Sequence, residues 1–207
     1  MASPPKLEDC RRVLAVEGYS DLHFYAEFLE ALGQLEGVFI KQFNGRQDLA
    51  TKLEDFLTPH LLAVKDAIGV VVDADSNAAK IALELSQLLT SLSGQPVTAG
   101  DWTTGEPRIG LFVTPDGHSS GEIESLVWSA WALDPANAKS RQCVESYIAC
   151  MKAAGFEPRS QDKGLVSALL AVRNDEDPRL GPGARTKKVF DFSRPEYELL
   201  RQFLTGF

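Results

Sequence analysis

No apolar run in this sequence approaches the ~20 residues of a bilayer-spanning helix, so helical membrane spans are excluded. The opening Met1-Ala2-Ser3-Pro4-Pro5-Lys6-Leu7-Glu8-Asp9 lacks the apolar centre of a signal peptide, which makes the cytoplasm the expected compartment. Cysteine is scarce. Cys10, Cys143 and Cys150 are too few and too scattered for a disulfide framework or a thiolate zinc site, and read as small buried apolar residues. No Gly-X-Ser-X-Gly surrounds Ser119-Ser120, so a serine hydrolase has little support. Internal repeats and low-complexity tracts are absent. Positive charge is also short: 21 Lys and Arg face 29 Asp and Glu, a net of −8. That argues against a broad, non-specific grip on nucleic-acid phosphates. It leaves room for an enzyme of nucleic acid, because carboxylates gathered round a metal count in the sum while bound cations offset them.

What is present is enough chain, 207 residues, for one sizeable domain of ordinary globular composition. Its organising stretch is Ile68-Gly69-Val70-Val71-Val72-Asp73-Ala74-Asp75. A short valine-rich run of this kind reads as a parallel strand buried on both faces. It ends in two carboxylates, at the end of a strand where open α/β sheets place ligands. Buried together, Asp73 and Asp75 repel and call for a hard cation. The plainer account of one such pair is a helix-capping Asp beside a loop Asp.

Three more strands follow the same grammar. Val13-Leu14-Ala15-Val16 runs into Glu17 and the turn Gly18-Tyr19-Ser20, with Ser20 the expected helix N-cap and Asp21 in the first turn. Phe24, Tyr25, Phe28, Leu29 and Leu32 then form an amphipathic stripe. Val38–Phe43 closes at Asn44-Gly45 and precedes a helix through Leu49, Leu53 and Phe56 that stops near Pro59. Ala78 to Leu92 is helical, and Ile109–Thr114 is the fourth strand. Strands alternating with helices imply right-handed βαβ units and a mostly parallel sheet. Past the fourth strand, a glycine- and serine-rich loop leads to Glu122 and Glu124 at the start of a helix with Leu126, Val127, Ala130 and Trp131. From Asp134 on the pattern is helical, broken by a polar loop from Asn174 to Gly183 and closed by a helix from Tyr197 to Leu204. Trp102, Trp128 and Trp131 read as core or interface residues.

Each acidic group thus follows a separate strand: Glu17 with Asp21, Asp73 with Asp75, Glu122 with Glu124. Parallel strands bring them to one rim, where their oxygens would suit one or two Mg2+ or Mn2+ ions. Two such ions ~4 Å apart can activate water and stabilise the leaving oxygen of a phosphodiester.

Val16-Glu17-Gly18-Tyr19-Ser20-Asp21 after a strand, and Asp73-Ala74-Asp75 at the end of a later one, resemble the two signatures of Toprim (topoisomerase–primase) domains. Gly121-Glu122-Ile123-Glu124 after a proline-containing turn is similar to the Gly-X-X-Glu stretch of overcoming-lysogenization-defect (OLD) nucleases and their stand-alone relatives. The likeness covers roughly residues 11 to 132. It implies a three-layer, Rossmann-like α/β fold: a four-stranded, mostly parallel sheet with helices on both faces and extra C-terminal helices. The expected division is a core over 11–132 and a helical extension over 133–207. By the same resemblance Glu17 is a metal ligand and general base, and Asp21, Asp73, Asp75, Glu122 and Glu124 are ligands. A downstream lysine of OLD nucleases would fall to Lys187 or Lys188, by position alone. Arg179 and Arg185 belong to a locally basic segment suited to phosphate. His118, in the loop near the acids, is either a proton shuttle or phosphate contact, or an exposed bystander.

The sequence departs from the family at Ala78, where Toprim signatures commonly carry glycine, and it has no Walker motif, so the ATPase half of an OLD protein is missing. A catalytic-tyrosine context and a zinc module are also absent, which disfavours topoisomerase and primase chemistry. The expectation is a metal-dependent nuclease acting on DNA or RNA. One rival is a non-catalytic Toprim-like module serving a partner ATPase or defence complex. Another is a metal-dependent phosphatase or nucleotidyl transferase.

Overall fold

The structure, a computed structural model, describes residues 5–174, 179–187 and 189–207, with the backbone alone for 185–187. The first half is β1 (Arg12–Val16), α1 (Tyr19–Ala31), β2 (Val38–Gln42), α2 (Arg46–Phe56), α3 (Pro59–Val64), β3 (Ala67–Asp73), α4 (Ala78–Ser93) and β4 (Arg108–Thr114). The second half is helical: α5 (Ile123–Ala132), α6 (Ala138–Ala153), α7 (Gln161–Arg173), α8 (Leu180–Lys187) and α9 (Glu198–Thr205).

Among the described residues the strands form one sheet in the order β2-β1-β3-β4, with every pairing parallel. Side chains of a strand alternate between faces, and here both faces are apolar. Leu14, Val16, Val71 and Phe112 join the cluster beneath α1, α5, α7, α8 and α9. Val13, Ala15, Ile68, Val70, Val72, Leu111 and Val113 join the one beneath α2, α3 and α4. The result is the three-layer α/β architecture expected from the sequence.

Two glycines in the strands have a packing reason. A Cβ on Gly110 would lie 2.7 Å from the Trp102 ring, and one on Gly69 3.1 Å from it. Trp102 therefore lies against bare strand backbone, stacks on Phe203, and donates its indole N–H to the Phe203 carbonyl at 2.9 Å. The segment between α4 and β4 is in this way tied to the last helix.

Three local expectations need correction. Ser20 is not an N-cap: Gly18 takes that place in extended conformation, and Ser20 Oγ instead accepts the Gly181 N–H. Pro59 does not merely end a helix. It opens α3 behind the Thr58 cap, because proline's missing N–H costs nothing in a first helical turn. The loop expected over 174–183 gives way to α8 at Leu180, despite Gly181, Pro182 and Gly183. Pro182 falls in the first turn, and a Cβ on Gly181 would stand 2.4 Å from the Ser20 carbonyl oxygen. The glycine lets α8 pack backbone to backbone on α1, so tertiary contact outweighs a poor helix propensity.

Candidate metal centre

Because all strands run the same way, Glu17, Asp73 and Thr114 emerge together at one rim. Glu17 Oε1 accepts the backbone N–H of Asp73 at 2.9 Å, joining the ends of β1 and β3. Asp73 Oδ1 accepts the Thr114 hydroxyl at 2.6 Å and the Ile123 N–H at 2.8 Å, joining β3 to β4 and to the start of α5. Asp75 adopts φ +47°, a left-handed conformation that Asp tolerates better than most residues, and its carbonyl accepts the Gly121 N–H at 2.7 Å. That bond pins the two loops together. Glu122 is the N-cap of α5 and Glu124 lies in its first turn, where the free N–H groups favour carboxylates. One oxygen from each of Asp73, Glu122 and Glu124 lies within 4.8 Å of the others.

Crowding shows in the acidities. Burial, then the charge of Asp73, lifts Glu17 to about 7. Burial, then Asp73, Glu124 and Glu17, lifts Asp21 to about 8, although the Gly18 N–H pulls it down. Glu124 is raised to about 7 by burial and by Asp73 and Glu122, against the opposing pull of Lys163. Asp73 is raised by burial, against its hydrogen bonds from Thr114 and Ile123. Tyr25, a stripe residue in the sequence, is buried beneath these acids, and burial followed by their charge drives its hydroxyl well up. Five carboxyl groups from three chain segments therefore meet in one cup.

Two cations close the cup that sequence reasoning missed. Lys163 Nζ donates to Glu122 Oε2 and lies 3.8 Å from Glu124 Oε2, while Ser160 Oγ donates to the other oxygen of Glu122. Burial pulls Lys163 down, but Glu122 and the neighbouring acids outweigh it and its affinity for the proton rises. Arg46 pairs with Asp75 from the first residue of α2. Both cations sit in the first turn of a helix, the end where the macrodipole disfavours positive charge. That misplacement was the one local sign that their charge is used elsewhere.

The remaining expected residues are His118, Arg179, Arg185, Lys187 and Lys188. Among described residues, His118 is exposed in a loop whose backbone N–H groups at His118 and Ser119 are held by Asp116 Oδ1. Arg179 stacks over the Tyr19 ring at 4.8 Å. Lys188 and the side chains of Arg185 and Lys187 lie outside the described residues. Trp131 is buried and packs beside Trp128, as expected of core. Cys143 and Cys150 are exposed, contrary to the buried expectation, because they fall on the open face of α6; Cys10 is buried.

The cup fits a hard divalent ion by the chemistry of its donors, which are all oxygen. Glu124 Oε2 is buried and accepts no hydrogen bond, since Lys163 stands beyond hydrogen-bond reach of it. A buried carboxylate oxygen left this way is costly, and a cation satisfies it directly. Among the described residues, no helix is long and apolar enough to cross a membrane.

Comparison with known proteins adds one relationship of shape and one of family. The C-terminal region of the OLD protein of Xanthomonas campestris pv. campestris is similar at 15% identity and a TM-score of 0.47, with 95% of each chain covered. No curated protein matches the chain. A family model described as "Protein of unknown function (DUF3226)" matches residues 11–207, a span that takes in every acid of the cup together with Arg46 and Lys163, and the chain belongs to that family.

Proposed function

We propose that this protein is a Mg2+- or Mn2+-dependent phosphodiester hydrolase acting on DNA or RNA. The observation that carries the reading is the convergence of Glu17, Asp21, Asp73, Glu122 and Glu124 at one sheet rim, with three of these carboxyls pushed up to about 7 or 8. Acids so crowded have a poor structural use and a good one as cation ligands. The order of the Toprim-like motifs along the chain points the same way.

Asp73, Glu122 and Glu124 would hold an ion, with Glu17, Asp21 and Asp75 around it. A bound divalent ion supplies charge stabilisation at a phosphoryl oxygen and makes water a better nucleophile. The chain's own residues do the rest. Glu17, held in place by the Asp73 N–H, suits proton uptake from an attacking water. Thr114 and the Ile123 N–H fix the carboxylate of Asp73. Among the described residues Lys163 lies beside these acids, and its ammonium can meet phosphate charge.

The test is incubation with plasmid, single-stranded DNA and RNA, with Mn2+ or with EDTA. Metal-dependent cleavage lost in Glu17→Gln supports the reading. Absence of cleavage with every substrate, or equal cleavage by the variant, overturns it. A metal-binding module without catalysis, acting with a partner ATPase or defence complex, is the second reading. It is favoured by the prior engagement of Glu122 with Lys163 and Ser160, and predicts metal-induced stabilisation without cutting.

A further inference from the structure

A cavity of about 200 Å3 opens where α5 and α7 end, against the stretch 189–197. It is a separate place from the cup. Glu122 of the cup and Asp134 of the cavity stand at opposite ends of α5, roughly 15 Å apart at ~1.5 Å per residue. Trp131 and Phe190, both buried, give the cavity an apolar wall. Its charges balance, with Arg173 and Arg194 against Asp134 and Asp191. Two buried donors are unmet among the described residues: the Arg194 Nε–H and the Tyr197 hydroxyl. Arg194 meets Glu196 through Nη2, at 3.3 Å, which leaves Nε without an acceptor. Tyr197 is 1% exposed, its ring is held by Phe28 and Phe192, and its hydroxyl feels the charge of Asp191 in the cavity wall. Burial, then Glu196 and Asp191, keeps that phenol protonated, so it is there to donate. The two acids are the opposite case. Asp134 Oδ1 accepts the Ala136 N–H at 2.8 Å and Asp191 Oδ1 the Ser193 N–H at 2.9 Å, which leaves Oδ2 of each to a donor from outside. A buried donor without an acceptor is costly. The cavity is also smaller than the usual ~300–1,000 Å3 of ligand sites, so what fills it is small.

We propose that this cavity binds a small zwitterion with an apolar body, the chemistry of an apolar α-amino acid. Its carboxylate takes the Arg194 Nε–H and the Tyr197 hydroxyl, its ammonium faces Asp134 and Asp191, and its side chain lies on Trp131 and Phe190. A simple anion such as phosphate meets the donors but is opposed by both carboxylates, and a simple cation is opposed by both guanidiniums. A dipolar molecule answers each group and adds no net charge to a wall whose charges already cancel. The site uses no residue of the cup and stands apart from the nuclease reading.

The test is calorimetry and thermal melting of the full chain with L-leucine, L-methionine and L-phenylalanine at millimolar concentration. At least one should bind saturably and raise the melting temperature as its concentration rises, because it binds the folded state. The amide of that amino acid, which lacks the carboxylate, and its deaminated acid, which lacks the ammonium, should each bind about tenfold more weakly, the loss of a charged hydrogen bond. Tyr197→Phe keeps the ring on Phe28 and Phe192 and should weaken binding about fivefold. Without ligand it should melt no lower than wild type, because the hydroxyl it removes has no partner. Asp134→Asn keeps the oxygen that accepts the Ala136 N–H and should weaken binding about tenfold. No saturable binding of any of the three amino acids leaves the cavity to water and overturns the proposal. Equal binding of the deaminated acid or of inorganic phosphate overturns the zwitterion, and affinity unchanged in both variants overturns this cavity as the place of binding.

Discussion

Glu17→Gln keeps the oxygen that accepts the Asp73 N–H and removes the charge that Asp73 and Asp75 oppose. At about pH 8, above the folded-state value near 7, metal-free Glu17→Gln should be the more stable protein, on the order of 1–3 kcal/mol. At about pH 4, below the unfolded-state value, the two should melt together, because wild-type Glu17 is then protonated in the fold and largely protonated in the unfolded chain. Thermal melts in EDTA at both values check this, and equal stabilities at high pH would remove Glu17 from the cup. Lys163→Ala leaves the buried Glu122 with Ser160 as its remaining side-chain partner. The expected loss is about 1–2 kcal/mol in chemical denaturation, less than the 3–5 of a fully buried pair because Lys163 is 43% exposed. Added Mn2+ should recover much of it. At this scale the acids themselves were legible in the sequence, since each follows a strand. Lys163 and Arg46 were not, since a lone cation on a polar helix face looks the same whether it meets solvent or a carboxylate.

Among elements, the decisive contacts are those made by residues without side chains. Gly110→Ala forces a methyl into the Trp102 ring and disturbs its stacking on Phe203. Overpacking of this kind costs about 1–3 kcal/mol, and Trp102 fluorescence should shift with it. Gly181→Ala sets a Cβ against the Ser20 carbonyl and should push α8 off α1. Ser20 neighbours Asp21, so the same change should weaken Mn2+ binding; unaltered metal affinity and stability would show that α8 does not brace the cup. The strands and the long helices could be read from periodicity, and their boundaries fall within a residue or two of expectation. What escaped was α3 and α8. A proline and a Gly-Pro-Gly run are breakers by local rule, yet one starts a helix and the other allows two helices to touch.

For the whole molecule, the concentration of acid at one rim ties stability to pH and metal. Glu17, Asp21 and Glu124 have folded-state values of about 7, about 8 and about 7, above their ordinary ones. The native state therefore binds protons more tightly than the unfolded chain. The stability from these groups is full below about pH 4 and is lost as pH rises through 7 to 8. Metal-free melting temperature should thus fall between about pH 5 and about pH 8.5, and Mn2+ should raise it more at the upper end. A melting temperature flat across that range and indifferent to Mn2+ would mean that the carboxylates do not act as one cluster.

Four parallel strands and the rim to which their acids go were legible in the residues alone, because strand period and strand-to-helix alternation are local patterns. Which cations meet those acids, and the order of the strands in the sheet, came from the fold. Lys163 lies 41 residues from Glu122 and Arg46 lies 29 from Asp75, and pairings over such separations follow from how whole helices pack on the sheet, which no local pattern encodes.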